Sequence, residues 1–422
     1  MSALDRTATS SEFKRIPGIV WLSFSSASLA WLFDAMDLAI FTLVLFPAVG
    51  ELIGSTEPGT VTYRGGLILA GKLLAWGLGG IAFGVVADRV GRAKTMMMTV
   101  LIYSVFTGMS GLAQNWWQLL VFQALSGIGI GGEWAAGVAL VAETWPERTR
   151  QRALVAIQMF FAGGFFLAGL LNFVVGPVGW RWVLAAGVVP AVLALPIRWL
   201  VPEPERWVNA GNRRQASSIF FGIFAPDIRQ RTFVGVLIAA AMMIGAWGTT
   251  TLLPTWIVQL VGADDGTLAI KVTGESFMLA NVGAIFGFLA LMWLNGRLGR
   301  RWSYAMVALG CIATAVFVFT QLHTIEALLW FMPLYGVFAI GGFGIFPVYL
   351  SELFPTRIRA TGQGFCWNMG RTLTSVGPFT SGILVDFLGS APKAAVMLTV
   401  SYLIGLVAIW FGPETSGEPL RD

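Results

Sequence analysis

Five ionisable residues stand inside long apolar stretches of this 422-residue chain: Asp34, Asp37, Lys72, Glu133 and Arg371. A charge at the centre of a membrane-spanning helix costs roughly 2.5 to 3.5 kcal/mol on insertion scales, so each calls for a function or a partner. Asp34 and Asp37 are three residues apart and share one helical face. If that face looks into a central cavity, burial and mutual repulsion make at least one of them a candidate proton carrier near neutral pH. The plainer alternative pairs one with Lys72, or caps it with backbone, so that it only shapes the bundle. Glu133 lies ten residues before Glu143, about 15 Å along a helix. Its neighbours Gly127, Gly129, Gly131 and Gly132 let another helix approach closely. It is a candidate for proton binding or substrate gating, or else a bridge between packed helices.

Arg371 bears most directly on substrate. It stands about 16 Å from the start of its segment near Ala360, with Asn368 and Trp367 one turn away. A guanidinium is always charged, and its fork of donors matches carboxylate geometry. An anionic substrate is therefore the functional reading, and a permanent ion pair with Glu133 or an early aspartate is the structural one. Lys72 has three outlets: its stem can snorkel outward, it can pair with Asp37, or it can attract anions from outside. Gln123, Gln158, Trp247, Trp256, Asn281, Tyr335, Phe160 and Phe161 are candidates to line a cavity with these charges.

These residues can be placed only by membrane helices. With 56% hydrophobic and 12% charged residues and a mean hydropathy of +0.75, the chain does not read as a water-soluble globule. About 20 apolar residues span a bilayer, and charged or turn-rich clusters cut the sequence into twelve such segments. They run Gly18 to Val49, Gly65 to Ala87, Thr95 to Ala113, Trp116 to Ala142, Leu154 to Val175, Trp182 to Val201, Thr232 to Val261, Ser276 to Leu294, Tyr304 to Leu322, Ala327 to Leu350, Gly362 to Phe387 and Ala394 to Phe411. Barrel strands would alternate apolar and polar residues over about 10 positions, and these segments do not. The first run follows Lys14 and Arg15, as a signal peptide would, but it exceeds the usual apolar core of about 7 to 15 residues and reads as a first spanning helix. With the amino terminus in the cytoplasm, only Arg64, Arg181, Lys271 and Lys393 fall in outer loops. Most other basic residues lie inside, which predicts both termini to be cytoplasmic. The sequence pI near 9.5 then follows from topology and gives no argument for nucleic-acid binding. Cys311 and Cys366 both sit within predicted helices, so no disulfide framework follows.

The chain repeats itself. Pro202 to Arg231, with three prolines and no bilayer-length apolar run, divides it into an amino-terminal bundle (1–201), a cytoplasmic linker (202–231) and a carboxy-terminal bundle (232–422). The hinge Gly84 to Lys94 returns near Gly296 to Arg301. Glu143 to Arg150 returns as Glu352 to Arg359, and Pro202–Glu203 returns as Pro413–Glu414, all at an offset of about 210 residues. Parallel duplication with a site between the halves is a transporter architecture.

On these residues the chain resembles the major facilitator superfamily over all twelve segments. Gly84, Asp88, Arg89, Gly91, Arg92 and Lys94 match that superfamily's signature between its second and third helices, while Gly296 stands where the second copy would carry its acid. Pro202 to Trp207 and Pro413 to Gly417 resemble the half-endings of sugar-porter-like branches. The run Gly131, Gly132, Glu133, Trp134, together with Asp34 and Asp37, is similar to bacterial proton symporters for organic acids, including aromatic acids and sialic acid. The resemblance implies an all-α membrane protein of two pseudo-symmetric six-helix bundles in the bacterial cytoplasmic (inner) membrane, working as a functional monomer.

It also supports a moving latch. Asp88 is expected to accept hydrogen bonds from nearby backbone and from Arg148 or Arg150, and Arg92 to meet Glu143. Glu352 would form a weaker copy with Arg297 or Arg300, and Arg357 completes the gating set. The alternative is that these charges simply stay on the inner side. No phosphate-binding loop is present, and His323 is the single histidine, so neither a nucleotide-driven pump, a histidine triad nor a metal site is expected. The expected activity is proton-coupled uptake of a small carboxylate by alternating access, with protons as coupling ion and no cofactor. A sugar or polyol symporter, a proton-driven efflux antiporter and a non-transporting receptor are the rival readings.

Overall fold

The computed structural model describes residues 16–55, 58–189, 192, 200–209, 216–261, 266–374, 384–385 and 387–421. The expected inner charges Arg6, Lys14, Arg15, Arg198, Arg213 and Arg214 lie outside these residues, as does part of the linker. Among the described residues the regular structure is helical, and nine helices are long and apolar enough to cross a membrane.

In chain order the first half comprises α1 (Gly18–Ile53), α2 (Pro58–Val90), α3 (Arg92–Ser110), α4 (Trp116–Thr144), α5 (Glu147–Val175) and the short α6 (Trp180–Ala185). Short helices α7 (Glu205–Asn209) and α8 (Ala216–Gly222) follow. The second half comprises α9 (Arg229–Val261), α10 (Gly266–Arg297), α11 (Gly299–Gln321), α12 (Ile325–Ala339), α13 (Phe346–Leu353), α14 (Arg359–Thr374), α15 (Ala391–Leu398) and α16 (Val400–Ala408). The third apolar segment forms α3 but is short and rich in Thr and Ser. The sixth and eleventh segments fall partly outside the described residues. The tenth, expected as one helix, is broken: a 3-10 turn over Gly341–Ile345 separates α12 from α13. Three glycines in those five residues remove the side-chain packing that would hold a regular helix there.

Packing repeats between the halves. In the first, α4 lies between α2 and α3 while α1 packs on α5; in the second, α10 packs on α12 and α9 on α14. Close approach rests on matched glycines. A Cβ on Gly127 of α4 would collide with the Lys72 carbonyl of α2, and one on Gly336 of α12 with the Ala280 carbonyl of α10. Without a hydrophobic drive between helices in lipid, such backbone-to-backbone contact is what holds them. Across the halves, α14 lies against α2 and α10 against α5.

Candidate functional site

Two buried charge networks occupy the hinge end of the bundle. Gly91 and Gly299, with φ of 123° and 79°, turn the chain into α3 and α11 in a region that favours glycine. Beside each turn a carboxylate accepts from the first N–H groups of the next helix. Glu203 takes Ala93 and Lys94 at 3.2 and 3.0 Å, and Glu414 takes Arg300 and Arg301 at 2.8 and 3.1 Å. Those donors have no partner within their own helix, and the helix dipole favours an anion there. Burial alone would raise the Glu414 carboxyl, but N–H groups of Arg300, Arg301 and Ser416 outweigh it and hold the group below its ordinary range. A Cβ on either glycine would strike the capping carboxylate.

The first-half network ties the two halves together. Arg92 is fully buried and donates to Glu143 through Nε and Nη2 at 3.1 and 3.0 Å, to the Ala87 carbonyl at 2.9 Å and to the Thr356 carbonyl at 2.7 Å. Asp88 pairs with Arg92 at 2.9 Å and accepts from Ala360 N, Thr361 N and Thr361 Oγ1 at 3.2, 2.7 and 2.6 Å, at the N-terminus of α14. The backbone that Asp88 meets thus belongs to the opposite half. Glu143 also accepts from Arg359 at 2.8 Å. The arginine facing Glu143 from this side is Arg359; Arg357 is exposed, because the 3-10 turn over Thr356–Ile358 points it outward. Arg89 and Arg148 are likewise exposed, and Arg150 makes a 3.7 Å ion pair with Glu147.

The second-half network has the same plan with one substitution. Arg300 grips Glu352 through Nε and Nη2, both at 2.9 Å, and reaches the Asn295 carbonyl at 2.6 Å. Where Asp88 would have its counterpart, Gly296 leaves room for Gln151 of α5. Gln151 accepts from Arg300 at 3.0 Å and donates to the Met292 carbonyl at 3.0 Å. Glu352 also accepts from Thr415 at 2.6 Å. A bidentate grip with added donors is a full ion pair rather than a weakened copy.

Deeper in the bundle lie the five ionisable residues that open the chain's chemistry. Asp34 is fully buried, within hydrogen-bonding reach of the Glu133 carboxyl and within electrostatic reach of Asp37 and Arg371. Two carboxylates so placed repel, and one proton shared between them removes the repulsion. Arg371 is partly buried. Its guanidinium carbon lies 3.8 Å from the Trp76 ring centre and 5.8 Å from that of Trp367, and Nη1 makes a long 3.4 Å contact to Asn368. Trp367 stacks on Trp134 at 4.5 Å and 12°, which joins α14 to α4 across the halves. Asn368 fits against Gly80 of α2, where a Cβ would overlap its amide. The indole N–H groups of Trp76 and Trp367 are buried without an acceptor among the described residues.

Lys72 does not snorkel. It is fully buried and donates to Asp37 at 2.7 Å and Gln123 at 2.9 Å, because α4 and α1 enclose it. Gln123 is thereby engaged inside the first half. Gln158 accepts from Trp134 Nε1 at 3.3 Å. Tyr335 exchanges hydrogen bonds with Thr249 and Thr250 at 2.8 and 3.2 Å, and Asn281 donates to the Phe277 carbonyl at 2.8 Å. Trp247 is 46% exposed, while Trp256 is the inward tryptophan of α9 at 9%. Trp76, Trp134, Gln151 and Arg359 carry contacts that sequence reasoning did not assign. For Arg359 the signal was its matched place in the Glu352–Arg359 repeat.

Repeated helical halves, charges sealed at one end and an arginine between aromatic rings in the middle define a multi-pass membrane carrier rather than a catalyst. The pattern of the Major Facilitator Superfamily matches residues 27–378, and the chain belongs to that superfamily. It is a transporter and not an enzyme. The chain is 29% identical to a protein named "Probable 4-methylmuconolactone transporter" from Cupriavidus pinatubonensis, over 95% of this chain and 91% of that one. It is 27% identical to the cis,cis-muconate transport protein of Acinetobacter baylyi, over 97% and 98%. Among solved structures, the proton:xylose symporter XylE bound to 6-bromo-6-deoxy-D-glucose superposes with a TM-score of 0.78 at 18% identity, covering 96% of this chain and 98% of that one, a likeness of fold.

Proposed function

We propose that this protein is a secondary active transporter that carries a small organic carboxylate into the cell together with protons, by alternating access. In this reading the chain has twelve spans in two bundles (1–201 and 232–422) joined by a cytoplasmic linker. Both termini and both hinge networks face the cytoplasm, and the membrane is the bacterial inner membrane. The observation that carries the reading is Arg371. It is a partly buried cation on α14 whose near neighbours are aromatic faces and an amide, with Asp34 in electrostatic reach. Among the described residues its guanidinium makes no direct ion pair, and an arginine at such depth is costly unless an anion visits it. Relatives named for muconate and a muconolactone support a carboxylate cargo.

The cycle follows from charge. Protonation of the Asp34–Glu133 pair weakens its hold on Arg371, which then takes the substrate carboxylate in its fork. The loaded carrier rocks about the site, and the Arg92–Glu143–Arg359 and Arg300–Glu352 contacts break as the cytoplasmic side opens. Their intact state corresponds to the outward-facing side of the cycle. Uptake requires no cofactor, and a monomer contains every group used.

A thermal-shift panel of purified protein against muconate, benzoate, nicotinate, N-acetylneuraminate, xylose and an organic amine tests the substrate class. Stabilisation by one or more carboxylates is expected, and Arg371→Gln should abolish it. Stabilisation by xylose that survives Arg371→Gln would instead select the sugar carrier, and stabilisation by the amine the efflux reading.

A further inference from the structure

The acids of α1 lie one turn apart yet sit in opposite surroundings, and on the coupling reading above they cannot do the same work. Asp37 accepts from Lys72 at 2.7 Å, from Ser126 at 3.2 Å and from Thr107. Thr107 and Ser126 bond each other at 2.9 Å. Lys72 spends a second proton on Gln123 at 2.9 Å, and Gln123 donates at 2.9 Å to Ser110, which is bonded in turn to the Phe106 carbonyl at 2.9 Å. Helices α1, α2, α3 and α4 each contribute to this closed chain, and all its side chains lie within the first half. Gly127 makes room for it: a Cβ there would press on the Lys72 backbone and stem. Asp34, by contrast, receives no hydroxyl, amide or cationic donor among the described residues. It faces Glu133 of α4, with the Tyr103 hydroxyl of α3 and the Arg371 charge of α14 in electrostatic reach.

We infer that Lys72 and Asp37 form a fixed, mutually neutralising pair that sets the rotation of α1, and that the transported proton resides on Asp34 and Glu133 and never on Asp37. An ionised carboxylate is an acceptor only. A proton arriving at Asp37 would displace a donor from a site that already supplies a cation and two hydroxyls, and would leave Lys72 as an uncompensated buried charge. At Asp34 the same proton gains a partner, because one carboxyl can donate to the other. Asp37 and Lys72 are positioning residues in this scheme: the pair holds the face of α1 that presents Asp34 to Glu133.

Neutralising both members tests the inference. Wild type, Lys72→Met, Asp37→Asn and Lys72→Met/Asp37→Asn are reconstituted in proteoliposomes. Uptake of the carboxylate from the panel above that stabilises the wild type most is followed with and without an acid-outside gradient. Each single change should lower acid-driven accumulation at least tenfold, because it leaves one buried charge unpaired. The double change should restore it to within about threefold of wild type and keep its pH profile. A double variant that retains substrate counterflow but no longer responds to the gradient would overturn the inference, since Asp37 would then be carrying the proton. Failure of both this pair and Lys72→Gln/Asp37→Asn to give a monodisperse protein would overturn it equally, because charge balance would then not suffice. A wild type indifferent to the gradient would refute the coupling reading itself, a result separate from either.

Discussion

The two hinge networks share a plan, and the difference between them lies in who supplies the group beside the hinge. In the first half Asp88 projects from α2 onto the N-terminus of α14, so one carboxylate binds the opposite half directly. In the second half that position is Gly296, and α5 sends Gln151 inward to meet Arg300. The first contact is anionic and aimed at a helix dipole; the second is a neutral amide bridging a carbonyl and a guanidinium. Both latches cross between halves, but the first draws more of its grip from charge, since Glu143 serves Arg92 and Arg359 together. A duplicated scaffold therefore carries an asymmetric lock.

The largest effect is expected from removing the shared acid. Glu143→Gln leaves two fully buried arginines without their common anion, a loss of about 3 to 5 kcal/mol for a broken buried pair. It should lower the unfolding midpoint and raise alkylation of cysteines placed at the hinge end. Glu352→Gln should cost less, about 1 to 3 kcal/mol, because it takes the acid from one arginine where Glu143→Gln takes it from two. If both variants fell equally, the asymmetry would have no energetic content.

Adding the missing acid is the next test. Gly296→Asp, with Gln151 displaced, gives Arg300 an acid four residues before it, the spacing of the Asp88–Arg92 pair, worth about 1 kcal/mol. Uptake should slow about fivefold by the corresponding Boltzmann factor as the closed state deepens, measured as initial rate in proteoliposomes. An unchanged rate would show that the second latch does not limit opening.

The smallest effect concerns Glu414, whose folded carboxyl lies below its ordinary value of 4.5 because backbone N–H groups outweigh partial burial. A lowered folded value adds stability above the ordinary value, and that stability is lost as pH falls through the lowered one. The difference in thermal midpoint between wild type and Glu414→Gln should therefore be constant near neutrality and shrink below about pH 4.5. A difference that grew on acidification would have the wrong sign.

Much of this was legible in the sequence for physical reasons. Charges inside apolar runs are expensive, so Asp34, Glu133 and Arg371 stand out from the order of residues alone, and the repeat around Gly91 and Gly299 exposes the hinges. The Arg92–Glu143 contact followed from that pattern. What escaped depends on local direction. Arg357 and Arg359 are two residues apart, and a 3-10 turn decides which one enters. Whether Lys72 snorkels or pairs is set by enclosure from α1 and α4, which no single segment encodes. Trp76 was hidden among 18 tryptophans, and Trp134 stood out only as a member of the Gly131–Trp134 run, with nothing to show that its ring would meet Trp367. Gln151 could have been suspected only by asking what fills the space that Gly296 leaves.

The central claim is that a proton gradient drives a carboxylate past Arg371. Its most direct test is accumulation of that carboxylate by wild-type proteoliposomes with and without an acid-outside gradient, repeated on Arg371→Gln. The expected result is concentrative uptake only with the gradient and only with the arginine. Equal uptake in its absence, or undiminished uptake by Arg371→Gln, would contradict the account.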